Sequence, residues 1–196
     1  MKFTARTLAA GVAFGAAASL TNALSSPYVA PGRGIDGTVW ASCAKVLSLL
    51  LDAGWAWAAL AVAMGFLAGA VGRGALSGAT ALIAATSAYY TVDVLGWGAG
   101  TDAVDWLVAG VPLGLLLGMV GAAARRPGVV GLVAALTVPV GAAVQMLLLP
   151  PRPYPRVTAT VVVAEVAVWA GCALGAGWAV HRFWAGRARY AGGVTR

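Results

Sequence analysis

VDWLVAGVPLGLLLGMVGAAARRPGVVGLVAALTVPVGAAVQMLLL, Val104 to Leu149, decides the fold class. It consists of two apolar runs around one break. No charged residue falls between Trp106 and Ala124 or between Pro127 and Leu149, and Arg125, Arg126 and Pro127 separate the two. Each run is close to the ~20 residues a helix needs to cross a hydrocarbon core of ~30 Å. A soluble helix of this length would carry a polar stripe, and neither run does. The whole chain shares this character. Of its 196 residues 61% are apolar and 10% charged, against roughly half and a quarter in a soluble domain.

Working outward, the same reading marks six spans: Thr7 to Leu24, Trp55 to Gly72, Ala75 to Leu95, Val104 to Ala124, Gly128 to Leu149 and Val157 to Val180. The connections hold breakers. "GRG" (Gly72 to Gly74) reads as a tight turn, "ARRPG" (Ala124 to Gly128) as a helix end and restart, and "PPRPYPR" (Pro150 to Arg156) as a stiff polyproline-type strut. Thr38, Ser42, Lys45, Ser48 and Asp52 recur at three- and four-residue steps, while Val39, Trp40, Val46, Leu47, Leu50 and Leu51 lie off that stripe. The pattern predicts a helix lying in the outer interface, or a helical cap over the bundle. The expected fold is therefore all-α: a six-span transmembrane helical bundle with an outer interfacial amphipathic helix, one domain over residues 1–196.

Basic residues set the expected orientation. With the N-terminus inside, Lys2, Arg6, Arg73, Arg125, Arg126, Arg182, Arg187, Arg189 and Arg196 lie in the cytoplasm, and Arg33, Lys45, Arg152 and Arg156 outside. Asp36, Asp52, Asp93, Asp102 and Asp105 fall at or near the outer face. This predicts a multi-pass protein of the cell membrane with both termini cytoplasmic. The alternative is that "MKFTAR" and the alanine-rich run form a signal peptide cut after Ala23, which leaves five spans. The net charge of +7 is scattered singly rather than gathered in a basic stripe with aromatics, so nucleic acid is not an expected partner.

Glu165 is the acid placed deepest, eight residues inside the last span. An acid at that depth should face the bundle or a wet cavity, since exposure to lipid costs at least ~2.5 kcal/mol. Its expected neighbours in a polar intramembrane cluster are Ser87, Tyr89, Tyr90 and Gln145, with Asp93 above them. The cluster reads either as a proton- or cation-linked site opening outward or as a neutral helix clamp. Glycines four apart predict close helix packing: Gly65 with Gly69, Gly110 with Gly114 and Gly118, and Gly171 with Gly175. The same faces could instead serve a homo-oligomer or an unknown membrane partner. Trp57 and Trp106 are each followed by glycines at offsets of eight, twelve and fifteen residues, a weak internal repeat. Pro112 and Pro139 should kink their spans.

Asp102 and Asp105 in "TDAVD" read as helix caps. His181 has an interfacial place, and Cys43 and Cys172 should be too far apart to pair. No zinc-ligand spacing, nucleophile triad or phosphate loop appears, so neither a metal nor a cofactor is expected. The stretches "NALSSPYVAPG", "GWAWAALAVAMGFLAGAVGRGALSGA" and "AYYTVD" resemble a family of uncharacterised small multi-span bacterial integral membrane proteins. That resemblance covers roughly the first 120 residues. It implies a fold and a membrane address, and carries no activity or functional residues. A small transporter or permeation protein is the leading expectation. A non-catalytic structural, sensory or assembly subunit is the alternative, and an intramembrane enzyme acting on lipid comes third.

Overall fold

A computed structural model describes residues 2–98, 103–152 and 157–192, with side chains from residue 4 to 187. Thr101 and Asp102 of the expected cap, Arg156 with the rest of residues 153–156, and Arg196 lie outside the described residues. The described residues are helical and contain no strand. The helices are α1 (Lys2–Ser25), α2 (Ala30–Arg33), α3 (Val39–Leu51), α4 (Gly54–Ala68), α5 (Val71–Trp97), α6 (Ala103–Ala123), α7 (Gly128–Leu148) and α8 (Ala159–Gly192).

Four stretches are long and apolar enough to cross a membrane: Thr4–Ser25, Ala103–Ala123, Gly128–Leu148 and Ala159–Arg187. The pair α3 and α4, bent by 64° at a short break, makes a fifth if it acts as one broken span. These helices mark the chain as a multi-pass membrane protein. The count is four or five rather than the six expected, for two physical reasons. α4 has 15 residues, about 22 Å at ~1.5 Å per residue, and falls short of a ~30 Å core. α5 has 27 residues and is ample in length, but glycine, serine, threonine, Arg73 and Asp93 dilute its apolar character.

That dilution follows from where α5 sits. It packs against α1, α4 and α6 together, so much of its surface meets protein rather than lipid. Its buried positions are nearly all small: Gly74, Ala75, Ser77, Gly78, Ala79, Ala81, Ala84, Ala85 and Thr86, with Leu82 the one large side chain. Small residues let backbones close in, and in lipid that contact replaces the hydrophobic drive. A Cβ on Gly78 would collide with the Gly114 carbonyl, and one on Gly118 with the Gly74 carbonyl. A Cβ on Gly15 would strike the Ala85 carbonyl, which fixes α1 on the other side. α7 and α8 form a second pair, and α3 bridges α1 to α8.

The α4–α5 turn comes earlier than the "GRG" reading placed it. α4 ends at Gly69, whose φ of 76° is a left-handed cap, a conformation glycine adopts without steric cost. Gly72, Arg73 and Gly74 are already in the first turn of α5. Pro112 and Pro139 both stay inside continuous helices. α3 forms where the polar spacing placed it, with the Thr38 side chain accepting from the Ala41 amide at 3.3 Å. Part of its polar stripe turns inward, since Ser48 is buried, while Val39 and Trp40 are 77% and 75% exposed. That inversion suits a lipid surrounding. Cys43 is exposed and Cys172 is buried, and both are free.

Packing this close leaves no room for bulk. Gly114→Leu and Gly118→Leu should each cost about 1–3 kcal/mol as overpacking, whereas Gly141→Leu, with nothing within 4 Å of its Cβ position, should be tolerated. Thermal melts and monodispersity of the detergent-purified variants check this; a Gly118→Leu protein that melts with wild type refutes the packing argument.

Candidate functional site

A cavity of about 620 Å³ opens between α4, α5 and α6. Asp52, the exposed residue that ends α3, lies on its wall beside Gly54 and Trp57. α5 contributes Leu82, Thr86, Tyr89 and Tyr90, and α6 contributes Trp106, Gly110, Leu113 and Leu117. Trp106 to Leu117 spans eleven residues of rise, about 16 Å along the helix. The wall therefore changes along its length, from one carboxylate among indole and phenol rings to leucines nearer the middle of α6.

The aromatic wall is braced. Trp57 meets Phe14 edge-on at 5.3 Å and Tyr89 at 6.1 Å, and Tyr89 meets Tyr90 at 5.3 Å. Behind it, hydrogen bonds tie α1 to α3 and α5. Ser19 Oγ donates to Asp93 Oδ1 at 2.6 Å. Trp97 Nε1 donates to the same oxygen at 3.1 Å. Asn22 Nδ2 donates to the Tyr89 hydroxyl at 3.0 Å, and Ser48 Oγ donates to Asn22 Oδ1 at 3.3 Å. Asp52 lies within electrostatic reach of Asp93 and Lys45. Asp52 therefore has one carboxylate and one ammonium in its surroundings.

The expected cluster is divided between two places. Asp93, Tyr89 and Tyr90 come together at the end of α5, while Ser87 is exposed on the same helix. Gln145 goes elsewhere: its Oε1 accepts from the Trp55 amide at 3.1 Å. α4 has no side-chain cap of its own, so α7 supplies the acceptor that its first turn lacks. Glu165 does not join the tyrosines. It takes Arg152 in a two-pronged pair, Nε to Oε1 at 2.7 Å and Nη2 to Oε2 at 3.2 Å. The reason is topological. α8 packs on α7 and α3, and Arg152, just after α7, lies alongside Glu165. The carboxylate raises the already high pKa of the Arg152 guanidinium, by hydrogen bonding first and charge second.

The glycines divide as well. Gly65, Gly114 and Gly118 sit at backbone contacts, and Gly175 faces Pro139, whose Cγ would lie 2.9 Å from an added Cβ. Gly69 is the α4 cap with the Arg125 guanidinium beside it. Gly110 lies on the cavity wall, and Gly171 has open space around it. In the internal repeat, Gly65 meets Gly118, but Gly69 ends its helix while its counterpart Gly118 lies inside one.

Sequence reasoning missed Ser19, Asn22, Thr86 and Trp106 as members of the site. Ser19 and Asn22 lie in the alanine-rich run read as a first span or a signal peptide, where neither was given a role. No group of three or more potential metal ligands occurs among the described residues. No protein-family model, curated protein or solved structure matches the chain.

Asp93 is the acceptor for a fully buried serine. Asp93→Leu should destabilise by about 1–3 kcal/mol through the stranded hydroxyl, whereas Asp93→Asn, which keeps an acceptor, should lose less. Adding Ser19→Ala to Asp93→Leu should recover part of the loss in melting temperature; equal losses with and without it would show that the bond is not the cause.

Proposed function

We propose that this chain is a small transport or permeation protein that admits an amphipathic solute bearing a positive charge. The observation that carries the reading is the graded cavity. Asp52 supplies the one carboxylate on its wall, Trp57, Tyr89, Tyr90 and Trp106 offer ring faces for cation–π contact, and Leu82, Leu113 and Leu117 suit an apolar body. In this reading the functional carboxylate is Asp52 at the α3–α4 corner rather than Glu165, which is paired with Arg152. A charge pair at Glu165 is already neutral overall, whereas Asp52 has Asp93 as well as Lys45 in reach.

In the proposed topology α5 crosses, and α4, too short to cross alone, crosses together with the last turns of α3 across the bend, which gives six crossings in the cell membrane with both termini cytoplasmic and the start of α3 in the outer interface. The burial of α5 inside the bundle supports counting it despite its modest hydropathy. Retention of α1 is supported by its bonds, because cleavage after Ala23 would remove Ser19 from Asp93 and Asn22 from Tyr89. An assembly subunit is the second reading, favoured by Gly171 and Gly177 on α8, which have open space where a partner helix could approach. Belonging to the bacterial membrane family suggested by the first 120 or so residues would agree with this fold and leave the choice of activity open.

For the solute, tetraphenylphosphonium serves as probe with the protein in liposomes. Uptake and quenching of tryptophan fluorescence should both saturate. Asp52→Asn should weaken the probe about fivefold, the order of the ~1 kcal/mol that one charge at ~4 Å contributes in water, since Asp52 is exposed, while Glu165→Gln leaves it unchanged. Loss at Glu165 with none at Asp52 would return the site to α8.

The topology is read by fusing a periplasm-active phosphatase or a cytoplasm-active fluorescent protein. Fluorescence is expected at Arg196 and phosphatase activity within residues 150–156. Phosphatase activity at Arg196, or mature protein beginning at Leu24, overturns six crossings.

A further inference from the structure

We propose that the opposite end of the bundle carries a separate binding site for a phosphate group, lined by the α6–α7 turn and by α8 between Ala179 and Arg187. The cavity there holds about 530 Å³ and is walled by Arg125, Arg126, Arg182 and Arg187. None of the residues on its wall is acidic, and the one ion pair among the described residues, Arg152–Glu165, belongs to another connection. Four guanidinium groups therefore share one cavity with no carboxylate to balance them.

Their positions are held by neutral partners. Arg182 donates from Nη1 to the Ala124 carbonyl at 3.0 Å and from Nη2 to the Arg125 carbonyl at 3.1 Å, tying α8 to the end of α6. Its guanidinium also lies over Phe66 and Trp178, at 5.5 and 5.4 Å. Arg125 donates to the Phe66 carbonyl at 3.3 Å, and Arg187 lies 5.1 Å from the Phe183 ring. A guanidinium has five N–H donors, so these contacts orient the groups and leave donors over. Arg126 is exposed at the turn. α7 begins beside them at Gly128 without a side-chain cap, and the positive end of its dipole adds to the same field.

Guanidinium donors in a fork match the oxygens of a phosphate. Leu132, Ala135 and Phe183 give the cavity apolar walls next to the charges, so the phosphate of an anionic lipid fits in head and chain alike. A free phosphate offers the same oxygens without the chain. The site shares no lining residue with the Asp52 cavity, so it stands apart from the transport reading.

The full chain in neutral detergent is titrated with phosphatidylglycerol, phosphatidylcholine and inorganic phosphate, and binding is read by native mass spectrometry and melting temperature. The expected result is a phosphatidylglycerol adduct that raises the melting temperature and binds at least about tenfold tighter than phosphatidylcholine, the direction set by the attraction of clustered basic residues for anionic lipid. Arg126→Gln with Arg187→Gln should abolish that preference, and each single variant should reduce it if the double variant folds poorly. Arg182 is left intact because it caps α6. Stabilisation by inorganic phosphate alone, lost in the same variants, assigns the site to a soluble phosphate. Equal binding of the two lipids with no phosphate effect, or an undiminished preference in the variants, overturns the proposal.

Discussion

How closely two helix backbones approach governs everything else in this bundle. Inside a membrane an exposed leucine gains nothing by leaving lipid for protein, so association comes from dispersion contact and hydrogen bonds. α5 meets this constraint with a run of glycine, alanine, serine and threonine, and three helices close around it. The leucines and valines of α6, α7 and α8 are left on the outside, as at Leu116, Leu147 and Leu174. The interior is small and the exterior is large, the reverse of a soluble core.

That reversal explains which features were legible in the sequence. α6, α7 and α8 announced themselves because lipid-facing helices must be apolar over their whole length. α5 was harder to classify, since a helix surrounded by protein can afford serine, threonine and arginine. Tight packing was visible in the spacing of Gly114 and Gly118. The spacing rule could not tell Gly114, pressed on Ala79, from Gly171, which faces open space, because it carries no information about which neighbour stands opposite.

The polar residues were read with less success for a related reason. Depth along a helix can be counted from sequence, so Glu165 and Tyr90 were comparable in position. Azimuth and neighbour cannot be counted, and α8 turned out to lie beside α7 and α3. Arg152, thirteen residues before Glu165, was assigned to a strut and given no partner. The acid that reaches the cavity, Asp52, was noted only as part of an amphipathic stripe.

The cap that Gln145 places on α4 also sets an order of events. Its acceptor lies 90 residues downstream of the Trp55 amide. At ~5–20 residues per second the ribosome needs about 4–18 s to supply it. During that interval the amides in the first turn of α4 lack this acceptor, and the 64° bend between α3 and α4 leaves them without a continuing helix to supply one. The start of α4 is thus completed only when the last pair of helices arrives.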